Sequence, residues 1–245
     1  MEVHHHAHHE GKKSWKSYFW EFLMLFLAVF CGFLAENFRE HQVEHNREKK
    51  FMASLIYDLR QDTAELNRSV NQVSYSKTLQ DSVLLFLNSY TPGEFLNLRF
   101  NYLIAWSLNR FSVVFNEVTA MQLKNAGNLR LIRSQETIRK ISHYWTEQEN
   151  TKISIERYLE YRNRSREYNE KLFDFAEIEL ARDSLIKMPE RGMRVISRDP
   201  ALWAEFKNNF AHCRITTNAV LSQLKKQKKF ADELIALLNQ EYHLK

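Results

Sequence analysis

Residues Tyr18–Ala35 read Y-F-W-E-F-L-M-L-F-L-A-V-F-C-G-F-L-A, the one run in the chain whose side chains favour lipid over water. At about 1.5 Å of rise per residue the run covers about 27 Å as a helix, close to the roughly 30 Å hydrocarbon core of a bilayer. Tyr18, Phe19 and Trp20 place aromatic rings at one end, and Glu36, Asn37 and Arg39 close the other with groups that stay in water or headgroups. The expectation is a single transmembrane helix over residues 18–36. Cleavage as a secretory leader is disfavoured, because sites after Phe30 put Phe or Leu where signal peptidase needs small residues. Phe30 before Cys31 likewise departs from a lipoprotein signal.

Within the run, Glu21, Leu25, Ala28, Gly32 and Ala35 recur at spacings of 4, 3, 4 and 3, which sets them on one helical stripe. Phe22, Met24, Phe26, Leu27, Phe30 and Phe33 give the remaining faces a bulky apolar surface. Ala28 and Gly32 form a small-xxx-small pair, which lets two backbones approach closely and gain packing that lipid tails do not supply. The stripe is therefore the candidate seam of a homo-oligomer, with Glu21 inside it. The competing reading has Glu21 near the headgroups, its carboxylate reaching out to water.

Residues 1–17 form a tail with His4, His5, His6, His8 and His9, followed by Lys12, Lys13 and Lys16. Neutral imidazole ligates Zn, Cu and Ni, so the five histidines are the candidate metal ligands. No cysteine or carboxylate stands at zinc-finger spacing, so such binding would be adventitious, and no cofactor is expected. Ala7 and the Glu10-Gly11-Lys12-Lys13 continuation set the run apart from a purification tag. Basic residues before the span nearly balance Arg39, Arg47, Lys49 and Lys50 after it. A short tail before an uncleaved anchor stays in the cytoplasm, and long domains translocate largely regardless of charge, so residues 37–245 are expected in the periplasm.

The chain has 245 residues, with only 5 Gly and 3 Pro, and this scarcity of breakers predicts an all-α protein. Gly93, Gly127 and Gly192 lie too far apart to cradle a phosphate, which excludes a P-loop or dinucleotide fingerprint. From Phe38 the span continues without a breaker into a helix. Met52, Ile56, Leu59, Thr63, Leu66, Val70 and Val73 carry a 4-3 repeat, Val83, Leu84, Phe86 and Leu87 resume it, and Pro92-Gly93 ends it. His41 and His45 on this helix read as a solvated face rather than a metal site.

Residues 94–115 are too often interrupted by Asn97, Arg99, Asn101, Asn109 and Arg110 to be a second span, and predict one or two short core helices. Asn116 is placed to cap a short helix, and Gly127 to end it at a positive φ. Ser134 opens a long helix with Ile138, Ile141, Trp145, Gln148, Ile155 and Leu159 on one stripe. Its Arg157, Arg162, Arg164 and Arg166, interleaved with Glu156, Glu160 and Glu167, read as a solvated face in preference to a site for an acidic partner. Leu172, Phe173, Phe175, Ile178 and Leu180 restore a core before Met188-Pro189-Glu190-Arg191-Gly192 breaks the chain.

Asp199-Pro200 starts the clearest repeat, from Trp203 through Phe206, Phe210, Cys213, Thr217, Val220, Leu224, Gln227, Ala231 and Leu234 to Leu238. The fold expected is a transmembrane helix continuing into a long-helix bundle, coiled-coil-like outside the membrane over residues 37–245. Lys225, Lys226, Lys228 and Lys229 lack the interleaved aromatics of a nucleic-acid surface, so no nucleic-acid partner is expected. Scattered Ser, His and Asp residues fall at no triad spacing, and no catalytic residue is assigned. Cys31 and Cys213 lie on opposite sides of the span's end and form no intrachain disulfide.

The segments W-E-F-L-M-L-F-L-A-V-F-C-G-F-L-A-E-N, at 20–37, and L-K-N-A-G-N-L-R-L-I, at 123–132, with the helix between, resemble an uncharacterised family of single-span membrane proteins common in Bacteroidota. The resemblance covers most of the chain, extends to the His-rich tail, and implies a helical inner-membrane protein with no activity to transfer. Together these readings favour a membrane-anchored scaffold or interaction protein, homo-oligomeric through its span, with a membrane or periplasmic protein as partner. A sensor or channel-type subunit acting through the span is the alternative.

Overall fold

The computed structural model describes residues 14–93, 95–125, 127–176, 179–180, 190 and 192–244. The elements are α1 (Trp15–Ser89), β1 (Phe95–Leu96), α2 (Leu98–Ser107), α3 (Val118–Asn125), a 3-10 turn (Asn128–Leu131), α4 (Gln135–Leu172), β2 (Phe173–Asp174), β3 (Met193–Val195) and α5 (Pro200–Tyr242). Helix α1 passes residue 36 without a break, as the absence of breakers from Phe38 onward requires. The chain divides into two compact units, residues 1–50 and 51–245.

In the first unit α1 contains a window, none of it buried, that is long and apolar enough to cross a membrane. Phe22, Phe26 and Phe30 stack along it, with ring centroids 6.3 and 5.8 Å apart. Arg39 Nε donates to Glu36 at 2.8 Å just past the apolar run.

In the second unit three long helices form a bundle, and the segment carrying α2 and α3 packs on it. Helix α5 runs antiparallel to α4, with Gln227 bonded to the Tyr144 carbonyl near one end and Asn209 to Ser165 towards the other. Every residue of the repeat from Trp203 to Leu238 is buried, Gln227 and Cys213 included. Three helix starts have a side-chain cap: Asp199 Oδ1 accepts from Ala201 N at 3.0 Å, Ser134 Oγ from Thr137 N at 3.2 Å, and Asn97 Oδ1 from Phe100 N at 2.8 Å.

The apolar core falls into two clusters. One joins Leu66, Val73 and Val83 of α1 to Phe100 of α2, Tyr158 of α4 and Phe206 and Phe210 of α5. The other joins Met52 and Leu59 of α1 to Leu123 of α3, Ile141 and Trp145 of α4 and Ala231 and Leu238 of α5.

A small sheet, which the sequence reading did not anticipate, fastens the α4–α5 end. Strand β3 is central, pairing antiparallel with β1 (Leu96↔Met193) and with β2 (Phe173↔Val195). Runs of two and three residues are too short to display the alternation that marks a strand. Gly127 takes φ +64°, as expected for the position after α3.

Candidate functional site

The stripe Glu21, Leu25, Ala28, Gly32 and Ala35 lies on one exposed face of α1, within about 80° of arc at 3.6 residues per turn. Phe30 stands on the opposite side, at the end of the Phe22–Phe26–Phe30 stack. A Cβ added at Gly32 would meet nothing within 4 Å, so the small face is open to a neighbour. His4, His5, His6, His8 and His9 lie outside the described residues, as do Lys12, Lys13, Ile178, Met188, Pro189 and Arg191. His45 Nδ1 sits 3.6 Å from Glu48. Among the described residues no group of three His, Cys, Asp or Glu side chains is placed to hold a metal.

Between the two apolar clusters of the bundle lies a buried polar layer. Asp62 of α1 accepts from Asn116 N at 2.7 Å through Oδ1, and from the Tyr144 hydroxyl at 2.6 Å and Gln148 Nε2 at 3.3 Å through Oδ2. One turn earlier Asp58 accepts from Thr119 N at 3.0 Å. The two carboxylates thus bind backbone amides at and just before the start of α3, where unpaired N–H groups and the helix dipole favour negative charge. Asn116 also contributes, accepting from Val118 N at 3.3 Å. Burial holds the Asp62 carboxyl above its ordinary pKa, outweighing the Asn116 and Tyr144 hydrogen bonds. Close by, Glu147 is also buried, and burial alone would raise its pKa. Gln223 at 2.7 Å and Lys226 at 2.9 Å reverse the shift and hold it down.

Beside the first apolar cluster lies a cavity of about 400 Å³. Ile104 of α2, Leu108 just past its end and Phe175 form an apolar wall, and Arg162, Arg166, Asn169 and Glu170 of α4, with Glu179, form a polar one. Arg162 Nε donates to the Leu108 carbonyl at 2.7 Å and Nη1 to Asn163 at 2.9 Å, which fixes the guanidinium. Burial, then the charges of Arg166 and Arg110, hold the Arg162 pKa below its ordinary value. The Oδ1 of Asn169 is buried without a hydrogen-bond partner, in a side chain 4% exposed. The arginines read from sequence as one solvated face are therefore divided. Arg164 pairs with Glu160 on the surface at 2.8 Å, whereas Arg162 and Arg166 line the cavity.

Sequence reasoning missed the polar layer and the cavity. The available signal was the spacing of Asp58 and Asp62, four apart beside the apolar repeat of α1, which on sequence alone is indistinguishable from a wet helical face. Comparison with protein-family models, with curated proteins and with solved structures finds no match for this chain.

Proposed function

We propose that this protein is a single-pass, homo-oligomeric anchor of a bacterial inner membrane whose helical domain is an interaction scaffold. The histidine-rich tail is cytoplasmic and residues 37–245 are periplasmic in this reading, which agrees with membership of the single-span family that the sequence resembles. The observation that carries it is the contrast between the two faces of the span: an open stripe at Ala28 and Gly32, and a stacked phenylalanine face opposite. Lipid solvates the second as well as protein does, whereas the first gains from close backbone approach.

The test compares Gly32→Leu with Phe30→Leu in the full-length protein in detergent, read by the mass of the protein–detergent particle. Gly32→Leu dissociates the oligomer and Phe30→Leu does not. Equal masses for wild type and both variants would leave the span a simple anchor.

A second reading, a sensor or channel-type subunit, draws on Glu21 at the end of the same stripe. Ion flux through liposomes containing the protein, lost in Glu21→Gln, distinguishes it from the scaffold.

A further inference from the structure

We infer that Tyr75 of α1 and Tyr102 of α2 form an oxidative cross-linking site, at which a one-electron oxidant joins the two rings through a carbon–carbon bond and fastens the helices covalently.

The two hydroxyl oxygens lie 2.8 Å apart and share a hydrogen bond. Tyr75 is 49% exposed and Tyr102 48%, so an oxidant in solution reaches both rings. The residues are 27 positions apart in sequence, and the packing beneath them brings them together. Gln80 Nε2 of α1 donates to the Ser107 carbonyl of α2 at 2.9 Å, and the rings of Phe86 and Phe100 stack between the same helices with centroids 4.0 Å apart. Exposure alone does not make such a pair. Tyr57 is more exposed, at 61%, and has no hydrogen bond or ring contact among the described residues.

The chemistry balances within the pair. Each phenol gives one electron to the oxidant and its hydroxyl proton to water, leaving two tyrosyl radicals whose spin lies partly on the ring carbons beside the oxygen. One Cε from each ring combines to form a single C–C bond. Each of these carbons then loses its hydrogen as a proton while its oxygen regains one, which restores both aromatic rings and both hydroxyls. The net change is the loss of two electrons and two protons, and two equivalents of oxidant are consumed.

The existing hydrogen bond already resembles the product. After coupling, the two hydroxyls stand on carbons adjacent to the new bond and face each other within hydrogen-bonding distance. The rings must turn to reach that state, which exposed side chains do within about nanoseconds, and no helix has to move. Holding two reactants together converts an encounter between distant groups into a local step, an advantage that a radical on Tyr57 lacks. Trp106 is the competing oxidisable group, 48% exposed with its ring centroid 6.0 Å from that of Tyr102, and its oxidation adds oxygen instead of a bond to Tyr75. The cross-link closes the chain between positions 75 and 102 into a loop and so removes freedom from the unfolded state.

The experiment irradiates the full-length protein in detergent with ruthenium(II) tris-bipyridyl and persulfate, which generate a ruthenium(III) one-electron oxidant. The expected product runs at the monomer mass on a denaturing gel, is lighter by two hydrogen atoms, shows the blue fluorescence of a biphenol, and yields on digestion a linked pair of peptides containing Tyr75 and Tyr102. Tyr75→Phe and Tyr102→Phe each lower its yield by about tenfold or more, and Tyr57→Phe leaves it unchanged. The linked protein unfolds at a higher temperature than the unlinked protein. Linkage through Tyr57 in preference, product found only at the mass of a covalent dimer, undiminished yield in the Tyr75→Phe and Tyr102→Phe variants, or oxidation confined to oxygen added at Trp106 overturns the inference. Equal thermal midpoints with and without the bond overturn its role in fastening α2 to α1.

Discussion

The Tyr144 hydroxyl donates to Asp62 Oδ2 across 2.6 Å, joining α4 to α1 at the level where one apolar cluster gives way to the other. The same carboxylate takes the Asn116 amide on its other oxygen, so one side chain fixes the register of two long helices and the entry to α3. Apolar clusters tolerate sliding better than a carboxylate with three directional donors does. This arrangement therefore specifies how the long helices align, at the expense of a buried acid.

Replacing Asp62 tests that role and has a signed pH dependence. Because burial raises the folded-state pKa above the ordinary value of 3.8, the native state holds the proton where the unfolded chain has released it. The associated stability is fully present below pH 3.8 and is lost as pH rises through the folded pKa. Glu147 works in the opposite sense. Its folded pKa lies below 4.5, so its contribution is present above that value and is lost as pH falls. Asp62→Asn removes only the first effect. The wild-type midpoint minus the Asp62→Asn midpoint, from thermal unfolding in detergent, should decline as pH rises from about 4, and Asp62→Asn should cost about 1–3 kcal/mol. A flat difference across pH 4–7 would show that burial of Asp62 does not govern its titration.

The parts of this fold legible in the sequence are those fixed by long repetition. The α5 stripe persists through five heptads with Asp199-Pro200 at its head, so its inward face is determined before any partner is known, and all eleven of its residues from Trp203 to Leu238 are buried. Asp58 and Asp62 were illegible for a physical reason. Their burial depends on the α3 start lying against α1, a contact between residues more than fifty positions apart. The cavity was hidden similarly, since Arg162 differs from Arg164 only in what stands opposite, and that is supplied by the Leu108 carbonyl of a distant segment. Strands β1 to β3 form because Phe173 and Leu96 each find a partner on β3, which local sequence does not encode.

Cys213 is fully buried and its thiol is pushed up to about 12 by that burial. The nucleophile in alkylation is the thiolate, so the native protein should leave Cys213 unmodified near neutral pH. In a Cys31→Ala background, maleimide labelling should be absent from the folded protein and complete after denaturation, as read by intact mass. Labelling without denaturant would mean that the α5 seam opens, with Gln80, whose Nε2 lies 3.9 Å from the sulfur, exposed along with it.

Gly192 is where the sheet depends on a missing side chain. It takes φ +83° immediately before β3, and a Cβ built there would lie 1.7 Å from the Leu96 carbonyl oxygen and 2.8 Å from its carbon. Both atoms belong to the backbone of β1, which is held to β3 by the Leu96↔Met193 pairing, so no side-chain rotation relieves the clash. Gly192→Ala must therefore push β1 away from β3, in addition to about 1–2 kcal/mol for placing an L-residue at that φ. Gly93 is the control, because its Cβ would approach nothing closer than 4.0 Å and its φ is not positive. Gly93→Ala should be neutral or slightly stabilising through loss of unfolded-state freedom. Gly127→Ala separates the two contributions at Gly192, since at φ +64° it carries the backbone strain with open space around the new methyl. The expected order of thermal midpoints is Gly93→Ala at or above wild type, Gly127→Ala lower by an amount corresponding to about 1 kcal/mol, and Gly192→Ala lowest by several kcal/mol. Equal midpoints for Gly192→Ala and Gly127→Ala would show that β1 yields at no cost and that the three-stranded sheet contributes little to holding the α4–α5 end together.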